Sequence, residues 1–267
     1  MVRRFDRYLL EHQNLIFPHR HSFYQFVLFT KGGGKHSIDF NQFDVTPFQI
    51  YFMVPGQVHS WDFEGEMDGY IVNFSESYFQ AFLLKTDYLD SFSIFSGAVE
   101  DTIINLKDPL KLKLIELFED LILQSQHQTI FRDDIIRVLL IQIFILIEQT
   151  KLLELETVRT NTSSSIVKTF HKLVEKNFVE KRLPGEYADL LNITPNHLNA
   201  LTKEYLGKQA GEVIRERIIL EAKRMLVSLD LTVAEIAYQL NFNDTSYFGK
   251  FFRKYEGKTP EAFRKRS

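Results

Sequence analysis

The feature that most constrains this chain is an internal duplication near its C-terminal end. Laying LLNITPNHLNALTKEYLGK over QLNFNDTSYFGKFFRKYEGK aligns Leu191-Asn192 with Leu240-Asn241. After a one-residue insertion it aligns Tyr205, Gly207 and Lys208 with Tyr255, Gly257 and Lys258. Upstream, Ala188 aligns with Ala237, so two copies of one unit stand about 50 residues apart. Each copy reads as helix, tight turn, helix. In the second, Thr232 and Glu235 have the spacing of a capping box, which satisfies the free amides of a helix start. Ile236, Ala237 and Leu240 make its apolar side, and Asp244 caps the next helix after a turn at Asn241 to Asn243. In the first, Pro184 suits a helix start and Ala188, Leu190 and Leu191 are apolar. Thr194 then caps a helix with Pro195 at its first position. Small Ala188 and Ala237 let two helices approach closely. Such a pair is a helix-turn-helix, whose second helix can lie in the major groove of DNA. The two units span about 184–205 and 232–255.

Between them, Gly211 to Ser228 reads as one helix with Val213, Ile214, Ile218, Ala222, Met225 and Leu226 inward. At ~1.5 Å per residue it is roughly 27 Å long. A bridge of that length suits two reading helices about one DNA turn, ~34 Å, apart. In the last reading helix Phe248, Phe251, Phe252 and Tyr255 recur at helical spacing on one face. Ser246, Gly249, Lys250 and Arg253 lie opposite, in the register of Asn196, Asn199, Ala200 and Lys203 in the first copy. His197 and Thr245, at the helix starts, complete the candidate DNA contacts. Amide side chains pair bidentately with adenine and Lys pairs with guanine acceptors, while Lys and Arg further along reach phosphates. Charged faces alone favour plain solvation. A duplicated unit with a rigid bridge favours double-stranded DNA.

These segments resemble the bacterial transcription regulators named after the arabinose-operon activator, AraC. The resemblance lies in LLNITPNHLNALTKEYLGK, in RERIILEAKRMLVSLDLTVAEIAYQLNFNDTSYFGKFFRKYEGKTPEAFR, and in their order, over about Ser163 to Arg266. From Ala234 to Phe263 it follows the family's C-terminal signature almost throughout. It implies two helix-turn-helix units binding promoter DNA as one rigid body. Gly249 stands where the family more often has a larger polar residue, so the second unit is expected to make fewer base contacts.

Charge agrees with this division. From Ser163 to Ser267 there are 18 Lys/Arg against 13 Asp/Glu, although the whole chain is at −3. A basic C-terminal part on an acidic N-terminal part suits a polyanionic partner. With no cysteine, neither a disulfide framework nor a thiolate zinc site is possible. No signal peptide is visible, and the most apolar run, Val138 to Ile147, is far short of the ~20 residues that cross a bilayer. The expected setting is the cytoplasm, without a membrane.

Upstream, residues 1 to about 105 hold aromatic and β-branched runs broken by turn signals: FYQFVLFT, KGGGK, HSIDF, FQIYFMV, PGQ, GYIVNF. That spacing predicts a β-sandwich or barrel. KGGGK lacks the spacing of a phosphate loop and is expected to be a hairpin turn. Residues 108–156 switch to helical periodicity, and the second of two helices is apolar nearly all round. It packs either on its own sheet or against a second chain, and a homodimer through helices 108–156 is expected. Polar Thr157 to Ser165 reads as a linker.

His19, His21 and Gln25, followed by His59 after a Pro-Gly turn, loosely resemble the two motifs of the cupin barrel. In metal-binding cupins these positions hold a divalent metal, usually with Glu where this chain has Gln25, a poorer ligand. The same pattern resembles AraC-family sensor domains, understood as usually metal-free. The expected ligand-binding set is His19, His21, Tyr24, Gln25, His59, Trp61, Tyr70 and Asn73, with neither metal nor cofactor, for a small-molecule effector. The expected fold class is an α+β multidomain chain. Residues 1–156 form a cupin-like β-barrel with a helical dimerisation segment. Residues 157–165 are the linker, and 166–267 an all-α domain of two helix-turn-helix units bridged by a long helix. The expected function is a ligand-responsive, sequence-specific transcription factor, not an enzyme. Two alternatives stand beside it: a metal-dependent cupin enzyme with a helical interaction module, and an architectural protein with little sequence preference.

Overall fold

Two strands far longer than the usual five or six residues organise the N-terminal half. The computed structural model describes residues 1–12, 15–80, 82–83, 88–156, 162–227 and 231–265, in two compact units, Met1–Glu154 and Leu155–Ser267. The first unit runs β1 (Val2–Arg4), α1 (Phe5–Glu11), β2 (His19–Arg20), β3 (Tyr24–Ile38), β4 (Asn41–Asp44), β5 (Gln49–Met53) and β6 (Val58–Phe74). It continues through α2 (Ser77–Gln80), α3 (Val99–Thr102), β7 (Ile103–Asn105), α4 (Leu110–Gln126) and α5 (Arg132–Glu156). Among the described residues the strands form one antiparallel sheet in the order β1-β6-β3-β5-β7, with β2 on β6 and β4 on β3.

KGGGK is not the expected hairpin turn. It lies inside β3, which keeps pairing with β6 across register shifts between Phe29 and Lys31 and between Lys31 and Gly33. Gly32 and Gly34 have φ of 105° and 111°, a conformation costly for any residue with a Cβ. The glycines therefore bend a continuous strand through bulges. Reversal happens instead at Asp39-Phe40, where both φ values are positive.

Because side chains alternate along a strand, both sheet faces carry apolar residues and both are covered. Phe26, Leu28, Ile50, Phe52, Tyr70 and Val72 face the helices, meeting Leu117, Phe118 and Leu121 of α4 and Leu140, Phe144 and Ile147 of α5. The Phe144 ring sits 5.7 Å from Phe26 and 5.0 Å from Phe95, edge-on to both. On the opposite face Val27, Phe29, Tyr51, Met53, Trp61 and Ile71 meet Phe5 and Tyr8 of α1.

The second unit is helical: α6 (Thr162–Asn177), α7 (Pro184–Leu190), α8 (Pro195–Leu206), α9 (Ala210–Val227), α10 (Val233–Gln239), α11 (Thr245–Glu256) and α12 (Pro260–Arg264). Thr162 to Ser165, expected in the linker, begin α6 instead, since Ser and Thr are at home at a helix start. Residues 157–161 lie outside the described residues, as does Ser228 beyond the end of α9. The bridge α9 buries Val213, Ile214, Ile218, Ala222, Met225 and Leu226. Around it pack Tyr187, Ala188 and Leu198 of the first copy and Ile236, Ala237, Phe248 and Phe252 of the second. Two residues read as inward are not: Leu190 is 47% and Tyr255 43% exposed.

The bend at KGGGK gives a contrast between neighbours. A Cβ on Gly34 would lie 2.2 Å from the Asp62 carbonyl oxygen, whereas one on Gly33 meets nothing nearer than 3.8 Å. Gly34→Ala is expected to lower stability by about 2–4 kcal/mol and Gly33→Ala by less than about 1 kcal/mol. Urea denaturation of the full chain measures both, and equal effects would contradict the close approach.

Candidate nucleic-acid interface and ligand face

The two reading helices are built alike. α8 follows Thr194, whose hydroxyl accepts from the His197 amide at 3.2 Å. α11 follows Asp244, whose carboxylate accepts from the Ser246 and Tyr247 amides at 3.0 and 3.1 Å. Both helices have twelve residues, and both end at a glycine in the left-handed region, Gly207 at φ 70° and Gly257 at φ 78°. The preceding turns also match. Asn192 and Asn241 have φ of 53° and 57°, tolerated by Asn better than by most residues. Across these turns the Ile193 and Phe242 amides donate to the Ala188 and Ala237 carbonyls at 3.0 and 2.9 Å.

With the apolar sides held against α9, the other sides are left to solvent. Asn196, His197, Ala200 and Lys203 are exposed on α8, and Thr245, Ser246, Lys250 and Arg253 on α11. Lys203 Nζ donates to the Gly207 carbonyl at 2.9 Å, so its charge sits at the end of its own helix. Gly249 is half-buried, and a Cβ there meets nothing within 4 Å. Asn199 departs from the expected contact set. It is half-buried, and its Oδ1 accepts from the Ala210 amide at 3.1 Å. Ala210 opens α9, where an amide has no partner within the helix. Asn199 thus joins the first reading helix to the bridge. The sequence holds no local sign of this, since the two residues meet only in the fold.

The expected ligand set is divided by the sheet. Gln25 and Asn73 stand opposite each other on β3 and β6 and join through Gln25 Nε2 to Asn73 Oδ1 at 3.0 Å. His59 and Trp61 lie on that same face, and His19 pairs with His59 across β2 and β6. Tyr24 and Tyr70 point the other way, into the helix-facing core, where the Tyr70 hydroxyl donates to Glu119. Adjacent residues such as Tyr24 and Gln25 cannot share one face of a strand.

Three residues missed in the sequence join the histidine face: Tyr8, Tyr51 and above all His36. His36 lies two residues before buried Ile38 on β3, so the strand period already points it inward. His21 Nδ1–H donates to the Phe23 carbonyl at 2.9 Å, which leaves its Nε2 as an acceptor. His59 Nε2–H fills that position at 3.1 Å, and His59 Nδ1 accepts from His36 Nε2 at 3.4 Å. The carbonyl accepts only, so one proton per ring runs the chain of three neutral imidazoles in a single direction. At its far end His36 Nδ1 has no partner among the described residues, nor do Trp61 Nε1 and Gln25 Oε1, all three buried. A cavity of about 600 Å³ lies elsewhere, lined by Val72, Asn73, Phe74, Tyr78, Arg132, Ile136 and Leu140 among others and by none of the histidines. Among the described residues no group of three or more His, Cys, Asp or Glu side chains could hold a metal ion, and no helix is long and apolar enough to cross a membrane.

Comparison with known proteins agrees with this division of labour. Residues 5–140 match the family description "AraC-like ligand binding domain" and residues 187–266 match "Helix-turn-helix domain". The chain belongs to the AraC-type transcription regulators, with a ligand-binding domain followed by a DNA-binding one. It is 30% identical over 105 residues to the HTH-type transcriptional activator AarP of Providencia stuartii, covering 39% of this chain and 78% of AarP. It is 31% identical over 107 residues to the transcriptional regulatory protein YesN of Bacillus subtilis, covering 39% of this chain but only 29% of YesN. Among solved structures it is similar to ToxT of Vibrio cholerae, with 12% identity, 94% of this chain and 90% of that one covered, and a TM-score of 0.43.

Burial gives the histidine face a pH dependence. It lowers the pKa of His21 to about 4, with His19 adding to the effect and the Phe23 carbonyl opposing it. Burial holds His36 and His59 well below the ordinary value, helped by the neighbouring histidines. Unfolding frees these rings to titrate near 6.5. Stability is therefore full above about pH 6.5 and falls as pH drops towards 4, by up to ~1.4 kcal/mol per unit for each ring. Trp61, the single tryptophan, lies 5.1 Å from the His59 ring and 5.2 Å from His36. Unfolding followed by its fluorescence should show a lower midpoint at about pH 5 than at about pH 7.5; equal midpoints contradict the buried neutral chain.

Proposed function

We propose that the chain binds promoter DNA through α8 and α11 together and adjusts that binding to a small molecule held by the N-terminal unit. The observation that carries this is the matching pair of reading helices, each with a side-chain N-cap, a left-handed glycine at its end and the same exposed register, on one buried bridge. Asn196, His197, Ala200 and Ser246 supply base contacts in this reading, with Thr245 and Gly249 at the groove. Lys203, Lys250 and Arg253 reach phosphates. The protein then works in the cytoplasm, where the DNA is, and performs no catalysis. The curved sheet serves as a cupin-like barrel, and the effector's polar groups meet Gln25 Oε1, His36 Nδ1 and Trp61 Nε1, buried atoms without a partner among the described residues. An effector shifts DNA affinity only if it interacts differently with two states of the protein.

The test is selection of bound duplexes from a random pool by the full-length chain at near-physiological salt. Two contacted patches about one helical turn apart are expected, and absence of enrichment removes the reading. The enriched duplex also tests the sensor, since any compound that shifts Trp61 fluorescence must change affinity for it. Asn196→Ala should relax base preference at one position by about 1–3 kcal/mol. Asn199→Ala should instead lower stability by about 1–2 kcal/mol, because it strands the Ala210 amide. Reversed outcomes would exchange the two roles.

We also propose a homodimer through the helical segment of the first unit. Phe131, just before α5, and Ile135, Val138 and Leu152 on α5 are exposed, and with exposed Gln142 and Gln149 and half-buried Ile145 they alternate at spacings of four and three. That is the seam of a two-stranded coiled coil. Analytical ultracentrifugation should give twice the chain mass for the wild type and the chain mass for Val138→Glu. A wild-type monomer at micromolar concentration would end the dimer proposal.

A further inference from the structure

We propose that Arg182 is a positioning residue that sets the second reading helix at a fixed angle to the first, an inference that rests on the two-helix DNA reading above. Arg182 lies in the approach to α7 and belongs to the first copy. Its main chain is held there, because the Arg182 and Leu183 amides both donate to Glu186 Oε2 at 2.8 Å. Its side chain belongs to the second copy. The guanidinium donates to the Leu240 carbonyl and, at 3.0 Å, to the Asn241 carbonyl. Its carbon also lies 4.1 Å from the centre of the Phe242 ring. Asn241 returns a bond from Nδ2 to the Val179 carbonyl at 3.4 Å.

The chemistry of the far end explains why an arginine is suited to this place. Leu240 and Asn241 close α10 and form the turn into α11, where the last carbonyls of a helix have no amide to accept from. A cation there also complements the negative end of the helix dipole. Phe242 is buried, with its ring centre 5.2 Å from both Phe248, edge-on, and Phe251, tilted, so the ring under the guanidinium is anchored against α11. Both bonds leave one nitrogen, Nη2, while the guanidinium carbon lies over the Phe242 ring; an ammonium can reach the carbonyls but has no plane to lay against that ring. The fold has a second arginine of this kind, Arg264, which donates to the Leu226 and Leu231 carbonyls at 3.3 and 2.6 Å. Arg264 links α12 to the end of α9 and the approach to α10. Arg182 instead crosses between the copies.

α8 connects to α11 by way of α9, on which both copies pack. Arg182, together with the Asn241–Val179 bond, adds a direct connection between the copies at the turn of the second unit, and that connection resists twist about α9. The angle matters on DNA, because inserting one base pair turns the second patch by roughly 35° about the duplex axis. A pair locked in angle rejects the altered spacing, and a pair free to twist follows it.

The experiment uses the full-length chain and the duplex enriched by selection, together with versions carrying one base pair more and one fewer between the patches. Wild type should prefer the parent duplex by about tenfold or more. Arg182→Ala should narrow that preference to within about threefold, with binding to a duplex carrying only the first patch unchanged. Arg182→Lys keeps the charge but loses the planar guanidinium over Phe242, so it should narrow the preference as well, with the salt dependence of wild type. Circular dichroism checks folding, and if the alanine variant does not fold, the lysine variant carries the test. Spacing preference retained in the variants overturns the proposal. So does a loss of equal size on all three duplexes, which marks a phosphate contact or a general loss of stability. Failure of wild type to select any two-patch duplex would instead sink the DNA reading itself.

Discussion

A helix of seven residues does not persist alone in water, and one of twelve is marginal. The reading half of this protein is built from such helices: α7 and α10 have seven residues each, α8 and α11 twelve. Their existence depends on burial against α9, whose apolar side is shared by both copies. That dependence also fixes which faces remain outside. Once Leu198 on α8 and Phe248 and Phe252 on α11 are committed to the core, the exposed register follows from the helical period. The surface proposed to meet DNA is thus the complement of the packing that holds the helices together.

The N-terminal unit solves a different problem with a similar economy of parts. One sheet is covered on both faces, and the two coverings differ in chemistry. The helix-facing side is almost wholly aromatic and aliphatic, with Phe144 at its centre. The other mixes an apolar floor with three imidazoles, a carboxamide pair and an indole. A polar group in such a place needs a partner, and the chain of imidazoles supplies partners internally until it reaches His36. Selectivity for a ligand is more readily built on that face than on the other, because unpaired polar atoms discriminate between molecules more sharply than apolar contact does.

Much of this is legible in the sequence, for identifiable reasons. Caps are local, so Thr194, Asp244 and Thr232 can be read together with the helices they start. The bridge read from Gly211 to Ser228 is α9 at Ala210–Val227, because apolar spacing over so many residues has one reading. What the sequence hides depends on partners distant in the chain. Asn199 has the register of a base contact, and only the fold brings Ala210 to meet it. Arg182 carries no local signal, because its partners lie some 58 residues on. KGGGK holds a true glycine signal that misleads about geometry, since a bulge and a turn demand the same backbone freedom. Tyr24 and Tyr70 lie across the sheet from the histidines for a simpler reason: strict alternation already sets Tyr24 opposite Gln25, and residue type alone does not reveal a face.

Gly249 sits mid-helix on the exposed side of α11, with an ordinary helical backbone and open space where a Cβ would be. Nearly any other residue would favour the helix, by up to about 1 kcal/mol. Packing therefore does not demand this glycine. If this face meets DNA as proposed, a side chain added here changes the surface offered to the groove without disturbing the packing of the scaffold. Target preference and survival of the fold are then under separate control at this one position.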